Sequence, residues 1–90
     1  MSLYIAAYDV ENSRQRARVA RVLRRYGERI QRSVFEVWLE PDELPELKRE
    51  IGPLLAKTDA FDLYPVDLRP SRPRLRWQRP PSAYETVVEL

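Results

Sequence analysis

The run Leu3-Tyr4-Ile5-Ala6-Ala7-Tyr8, stopping at Asp9, constrains the fold more than any other part of the chain. Its apolar side chains fall on both parities instead of alternating with polar ones, the pattern of a strand buried on two faces and so central in its sheet. Asp9 then sits at the end of that strand. Beyond it, Asn12 or Ser13 can cap a helix whose apolar residues fall at Val19, Val22, Leu23 and Tyr26, offsets of three, four and seven, with Gly27 as its terminator. Arg14, Arg18, Arg21 and Arg25 recur at four, three and four, which stacks them in an exposed row beside the apolar face of that helix.

From Arg29 to Leu39 the chain is rich in Ile, Val, Phe and Trp and reads as extended. A helix follows from about Pro41, with Leu44, Leu47, Ile51 and Leu54 as its buried face. Pro45 is tolerable there only in the first turn, and Pro53 ends or kinks the helix. Phe61 to Leu68 is a further strand, and Pro65 inside it places part of it at a sheet edge or a bulge. Residues 69–82 hold Pro70, Pro73, Pro80 and Pro81 among arginines and Trp77, too proline-rich for regular structure, and Glu85 to Leu90 closes as a short strand. Strand, helix, extended segment, helix, strand, strand predicts a small α+β sandwich with helices on one face of a sheet.

Ninety residues make one domain. Cysteine and histidine are both absent, which removes disulfides, thiolate and imidazole metal sites, cysteine nucleophiles and histidine bases. The chain has two glycines, Gly27 and Gly52, so neither a Walker loop nor a dinucleotide fingerprint can be written into it. The net charge of +2 conceals a segregation: residues 14–32 carry eight arginines against Glu28, residues 69–79 add five arginines and no acid, and residues 36–67 hold nine acids against three bases. Arginine outnumbers lysine fourteen to two, and its planar fork suits phosphate oxygens, so a phosphate-bearing partner comes first. A solvated basic surface is the alternative. No apolar run approaches the ~18 residues of a membrane span and no signal-peptide pattern opens the chain, so a soluble, cytoplasmic protein without a membrane partner is expected.

Tyr8-Asp9-Val10, then Arg14, Arg16 and Arg18 opening a helix, then Tyr26-Gly27, Arg29-Ile30-Gln31 and Ser33-Val34-Phe35-Glu36 together resemble the CRISPR-associated Cas2 family, the small subunit of the spacer-acquisition module. The resemblance is strong over residues 1–40, weaker over 41–68 and loose after Arg69. It implies a ferredoxin-like β-α-β-β-α-β sandwich with an extra C-terminal strand, in which residues 29–39 contribute the second strand and lead into the third. It also implies a homodimer. The expected organisation is a core over residues 1–68, a basic proline-rich connector over 69–83 and a strand over 84–90 that pairs with the partner subunit. The further implied partners are CRISPR integrase (Cas1) subunits and nucleic acid, either RNA or duplex DNA.

Asp9 ends a buried strand while the other carboxylates lie in segments that read as solvated, which makes it the candidate catalytic acid. One carboxylate holds a catalytic metal poorly, but a dimer axis near Asp9 would bring two copies together, and two hard oxygen donors with waters suit Mg²⁺ or Mn²⁺. Such a metal would activate water against a phosphodiester, the mechanism the resemblance implies. The open alternative is that Asp9 caps the following helix or pairs with an arginine. Arg16, Arg18 and Arg29 match family motif positions and are the candidate catalytic cations, while Arg14, Arg16, Arg18, Arg21 and Arg25 are the candidate phosphate-tracking surface. Tyr8 and Phe35 also fit the motif, although aromatics in strands are usually core. Three functions stay open: a metal-dependent nuclease acting on single-stranded RNA first and DNA second, a non-catalytic scaffold that lies across duplex DNA and bridges integrase subunits, and an RNA-binding ferredoxin-like module. The last is the weakest, because Ile30 to Leu39 lacks the aromatic-rich sheet signature of such RNA readers.

Overall fold

The computed structural model describes residues 1–69, 74–77 and 87–89. Its elements are β1 (Ser2–Asp9), α1 (Ser13–Leu23), β2 (Gly27–Gln31), β3 (Val34–Leu39), α2 (Glu43–Ile51) with a 3₁₀ turn over Gly52–Leu54, β4 (Ala60–Pro65), β5 (Arg74–Arg76) and β6 (Val87–Glu89). The first four strands form one antiparallel sheet in the order β2-β3-β1-β4, which with the chain order gives the ferredoxin-like βαββαβ arrangement.

β1 is central, as its apolar run requires. It is paired with β3 from Ser2↔Leu39 to Ala7↔Val34 and with β4 from Tyr4↔Pro65 to Asp9↔Ala60. Leu3, Ala6 and Tyr8 are buried, while Ile5 and Ala7 are half-buried. Ala6 and Tyr8 from β1 meet Phe35, Val37 and Leu39 from β3, Val19, Ala20 and Leu23 from α1, and Leu47 and Ile51 from α2 in a single core. Each large side chain removed from water there stabilises the fold by roughly 1.5 to 3 kcal/mol. Leu44 and Leu54 complete the apolar face of α2 at half-buried positions. Pro45 falls in the first turn of α2, and Pro53 lies in the 3₁₀ turn where the α-helix has ended. β4 is an edge strand with Pro65 as its last residue, so the missing N–H costs no central ladder bond.

Two features of the sequence, Gly27 and the proline-rich stretch, are used differently from expectation. Gly27 does not terminate α1: the helix ends at Leu23, and Arg25 N–H to Val22 O and Tyr26 N–H to Leu23 O carry the chain through a turn into β2. What Gly27 provides is absence, since a Cβ there would lie 1.7 Å from the carbonyl oxygen of Glu36 on β3. The stretch 29–39 is divided between the second and third strands, as the resemblance implies, by the two-residue turn Arg32-Ser33, which carries neither the Asn nor the Gly that usually marks a tight hairpin. Within the proline-rich stretch, Arg74–Arg76 is a strand that pairs in parallel with β6, Arg74↔Val87 to Arg76↔Glu89, in a second, two-stranded sheet. Apart from Arg69 and Trp77, the remainder of the connector expected over 69–83 and of the strand expected over 84–90 lies outside the described residues. Among the described residues no helix is long and apolar enough to cross a membrane.

Candidate active site

Three elements converge at the end of β1. The strand delivers Asp9, α1 begins four residues later at Ser13, and the N–H of Tyr8 donates to Ser33 O at 3.1 Å, which ties the β2–β3 hairpin turn to the same end of the sheet. Between them lies a cleft of about 530 Å³ whose polar lining is Asp9, Ser13, Arg16, Arg29, Arg32 and Ser33. Three guanidiniums and one carboxylate therefore line the cleft, and its net charge is positive.

Asp9 is exposed, and among the described residues its carboxylate takes part in no hydrogen bond and no ion pair. It does not cap α1. That work falls to Asn12, whose Oδ1 accepts from Gln15 N–H at 2.9 Å. Arg16 is held instead by backbone: its Nη1 donates to Val10 O at 2.8 Å and to Glu11 O at 3.2 Å, which pins the β1–α1 loop and fixes the guanidinium at the cleft wall. Donors of the fork other than Nη1 are left for an anion. The Arg29 guanidinium lies 5.3 Å from the centroid of the Phe35 ring, so Phe35, fully buried, is both core and a seat for this cation. Tyr8 is 6% exposed with its ring flanked by Phe35 and Phe61 at centroid distances of 6.3 and 6.4 Å. Its hydroxyl is buried and has no hydrogen-bond partner among the described residues.

The sequence-predicted residues separate into two groups. Asp9, Arg16 and Arg29 meet in the cleft, with Tyr8 beside them. Arg18 does not line it: its Nη1 donates to Gln15 Oε1 at 2.8 Å on the exposed surface of α1, where Arg14 and Arg21 are also exposed. Arg25 lies two residues past the end of α1, pairs with Glu50 of α2 and sits 5.6 Å from the centroid of the Tyr26 ring, so it is not an unengaged member of the row. The hydrogen bond to Glu50 raises the pKa of Arg25 further, while burial and then the Glu50 charge push the Tyr26 phenol up. Nothing in the local sequence singles out Arg32 and Ser13 as site residues, and Ser33 stands in the family motif without being named as one. Only the hairpin register and the β1–α1 turn bring them to Asp9.

The cleft holds one carboxylate, and no group of three acidic, histidine or cysteine side chains capable of holding a metal occurs among the described residues.

A family model described as CRISPR associated protein Cas2 matches residues 1–71. The chain belongs to the Cas2 family. A CRISPR-associated endonuclease Cas2 of Thermus thermophilus is 43% identical over 65 residues, covering 71% of this chain and 72% of that protein. A CRISPR-associated endoribonuclease Cas2 of Rhodospirillum rubrum is 41% identical over 66 residues, which is 72% of this chain and 53% of the relative, so the match spans about half of that protein's length. Among solved structures, Cas2 of Streptococcus pyogenes superposes with a TM-score of 0.68 at 28% identity, covering 72% of this chain and 86% of that one. A chain of a partial Cas6-RT-Cas1–Cas2 complex superposes with a TM-score of 0.62 at 31% identity, over 74% of this chain and 75% of that one. The Cas2 match thus covers the βαββαβ core and the whole of the cleft, and ends before β5.

Proposed function

We propose that this chain is a nuclease of CRISPR spacer acquisition that hydrolyses phosphodiester bonds of nucleic acid, acting as a homodimer with Asp9 as its catalytic acid. One observation carries the reading: a carboxylate that, among the described residues, is engaged by neither a helix cap nor an ion pair stands at the end of the central strand inside an arginine-lined cleft. Single-stranded RNA is the first substrate class and DNA the second. A positive cleft draws a phosphodiester toward Asp9, and Arg29 and Arg32 are placed to offset the charge that grows on the phosphoryl oxygens. Arg16, anchored on the Val10 and Glu11 carbonyls, holds the loop that carries the end of β1 into α1 and contributes its remaining donors. Asp9 of each subunit would hold a shared Mg²⁺ or Mn²⁺, two anionic oxygen donors replacing the one that a single cleft offers. A bound metal of that kind supplies a more acidic water and polarises the phosphoryl group. The exposed Arg14, Arg18 and Arg21 extend the positive surface along α1 and track the backbone without reading sequence.

The test is Asp9→Asn, which keeps the side chain's shape and removes its charge. Cleavage that requires Mg²⁺ or Mn²⁺ and falls at least a hundred-fold in the variant, with nucleic-acid affinity nearly unchanged, supports the reading. Undiminished cleavage by a dimer altered in both subunits removes Asp9 from the chemistry.

A second reading rests on the superposition with a chain of a Cas1–Cas2 complex: a scaffold whose dimer lies across duplex DNA and bridges Cas1 subunits. The α1 arginines serve it and Asp9 does not. Spacer integration that survives Asp9→Asn but fails when Arg14, Arg18 and Arg21 are replaced by glutamine assigns the chain to this role.

A further inference from the structure

Residues 69–79 carry five arginines and no acid, the second basic block of the chain, and the family match ends within them. The structure leaves two large apolar side chains uncovered there: Leu75 is 56% and Trp77 is 58% exposed. In the sequence Arg74-Leu75-Arg76-Trp77 the two apolar residues share one parity and alternate with arginines. Neither side chain belongs to the core formed by α1, α2 and the main sheet. The other tryptophan, Trp38, lies half-buried in β3. Leaving a tryptophan more than half exposed forgoes its large burial gain, and the five arginines carried by its stretch of sequence argue against a basic surface as its natural cover. A polyanion with flat apolar faces satisfies both halves of the pattern: arginines track its backbone, and the indole stacks on a base. A duplex keeps its bases stacked on one another and offers no such face along its length.

We propose that Trp77, with Leu75 beside it on β5, stacks on an unpaired base of single-stranded nucleic acid, a contact separate from the Asp9 cleft that selects single strands over duplex. The proposal rests on the nucleic-acid reading above and adds the residue that reads the strand state.

The experiment uses the full chain with two probes, a 20-nucleotide oligothymidylate and a blunt duplex of the same length, and follows tryptophan fluorescence with affinity. The chain has two tryptophans, so a Trp77→Leu variant reports Trp38 alone. Saturable quenching by the oligothymidylate is expected in the unaltered chain. Trp77→Leu should lose that quenching and about ten-fold in affinity for the single strand, leave duplex affinity unchanged, and Trp77→Phe should recover most of the loss. Unchanged single-strand affinity in Trp77→Leu overturns the proposal while leaving the nucleic-acid reading intact. Loss of the dimer on sedimentation with unchanged affinity overturns it too, and assigns Trp77 to a contact between copies. No binding of either probe by the unaltered chain sinks the proposal and the proposed function together.

Discussion

At the start of α1 the arginines form no ion pair among the described residues, whereas just past its end Arg25 is locked to Glu50 of α2. The residue type is the same at the two ends, and the local chain is basic at both. What differs is the neighbour. The far end of α1 lies against α2, whose sequence supplies Glu43, Glu46 and Glu50, while the near end faces the hairpin turn and Asp9, where Arg29 and Arg32 add positive charge. A guanidinium next to an acidic helix becomes part of the fold. One next to other guanidiniums is left for an outside anion. The contrast assigns roles within a single row of arginines that sequence spacing alone treats as equivalent.

The strongest way to break the contrast is to disturb the junction that fixes the far end. Gly27→Ala should cost about 3 kcal/mol or more, because the added Cβ would meet the Glu36 carbonyl, a backbone group that cannot swing away. Urea denaturation reads this as a lower midpoint at an unchanged slope. A cost under about 1 kcal/mol would show that β2 can shift away from β3 at this point.

Next comes the salt dependence of nucleic-acid binding. Replacing Arg14, Arg18 and Arg21 together by glutamine should lower the slope of log affinity against log salt by about 2 to 3, roughly 0.7 to 0.9 for each phosphate that is no longer neutralised. Arg25→Gln should change it by less than a single phosphate does, and Glu50→Gln, which releases Arg25, should steepen it. Equal effects of Arg14→Gln and Arg25→Gln would erase the distinction between the two ends.

Arg16 tests whether the near end is wholly functional. Because its Nη1 satisfies the Val10 and Glu11 carbonyls, Arg16→Ala should destabilise the fold by about 1 to 2 kcal/mol, while Asp9→Asn, which breaks no such bond, should leave the thermal midpoint within a degree or two. An Arg16→Ala protein as stable as its parent would make this arginine purely a ligand for phosphate.

The smallest effect is the titration of Tyr26 at the far end. Burial first, and the Glu50 charge second, hold its pKa above the ordinary tyrosine value, so the fold's contribution from the neutral phenol is intact below about pH 10 and is lost as pH rises through the higher folded value. Absorbance titration should show this tyrosine ionising late, and Glu50→Gln should bring it earlier. No shift in that variant would leave burial as the sole cause.

Much of the molecule is legible in the sequence because its signals are local. The two-parity apolar run places β1 at the centre, the three-four-seven spacing places α1, and Pro65 places β4 at an edge. Asp9, Arg16 and Arg29 can be found because each matches a motif position. Arg32 cannot, since its turn lacks the usual glycine or asparagine and the approach of that turn to Asp9 depends on a bond from Tyr8 N–H to Ser33 O across 25 residues of sequence. The Arg25–Glu50 pair is hidden for the same reason: no periodicity within α1 reports which face of α2 lies opposite. Gly27 misleads because helix termination is the commoner use of a glycine after an apolar-periodic segment, and a close approach between strands leaves no mark in the local sequence.

The first turn of α1 contains no acidic residue, although that is where helices usually place one. The partial positive charge of the aligned peptide groups is therefore not offset from within the turn, and it points the same way as the guanidiniums of Arg16, Arg29 and Arg32. A field built from fixed dipoles and anchored side chains reaches outward before any contact is made. Its consequence is kinetic: an approaching polyanion is turned toward the end of the central strand while still in solution.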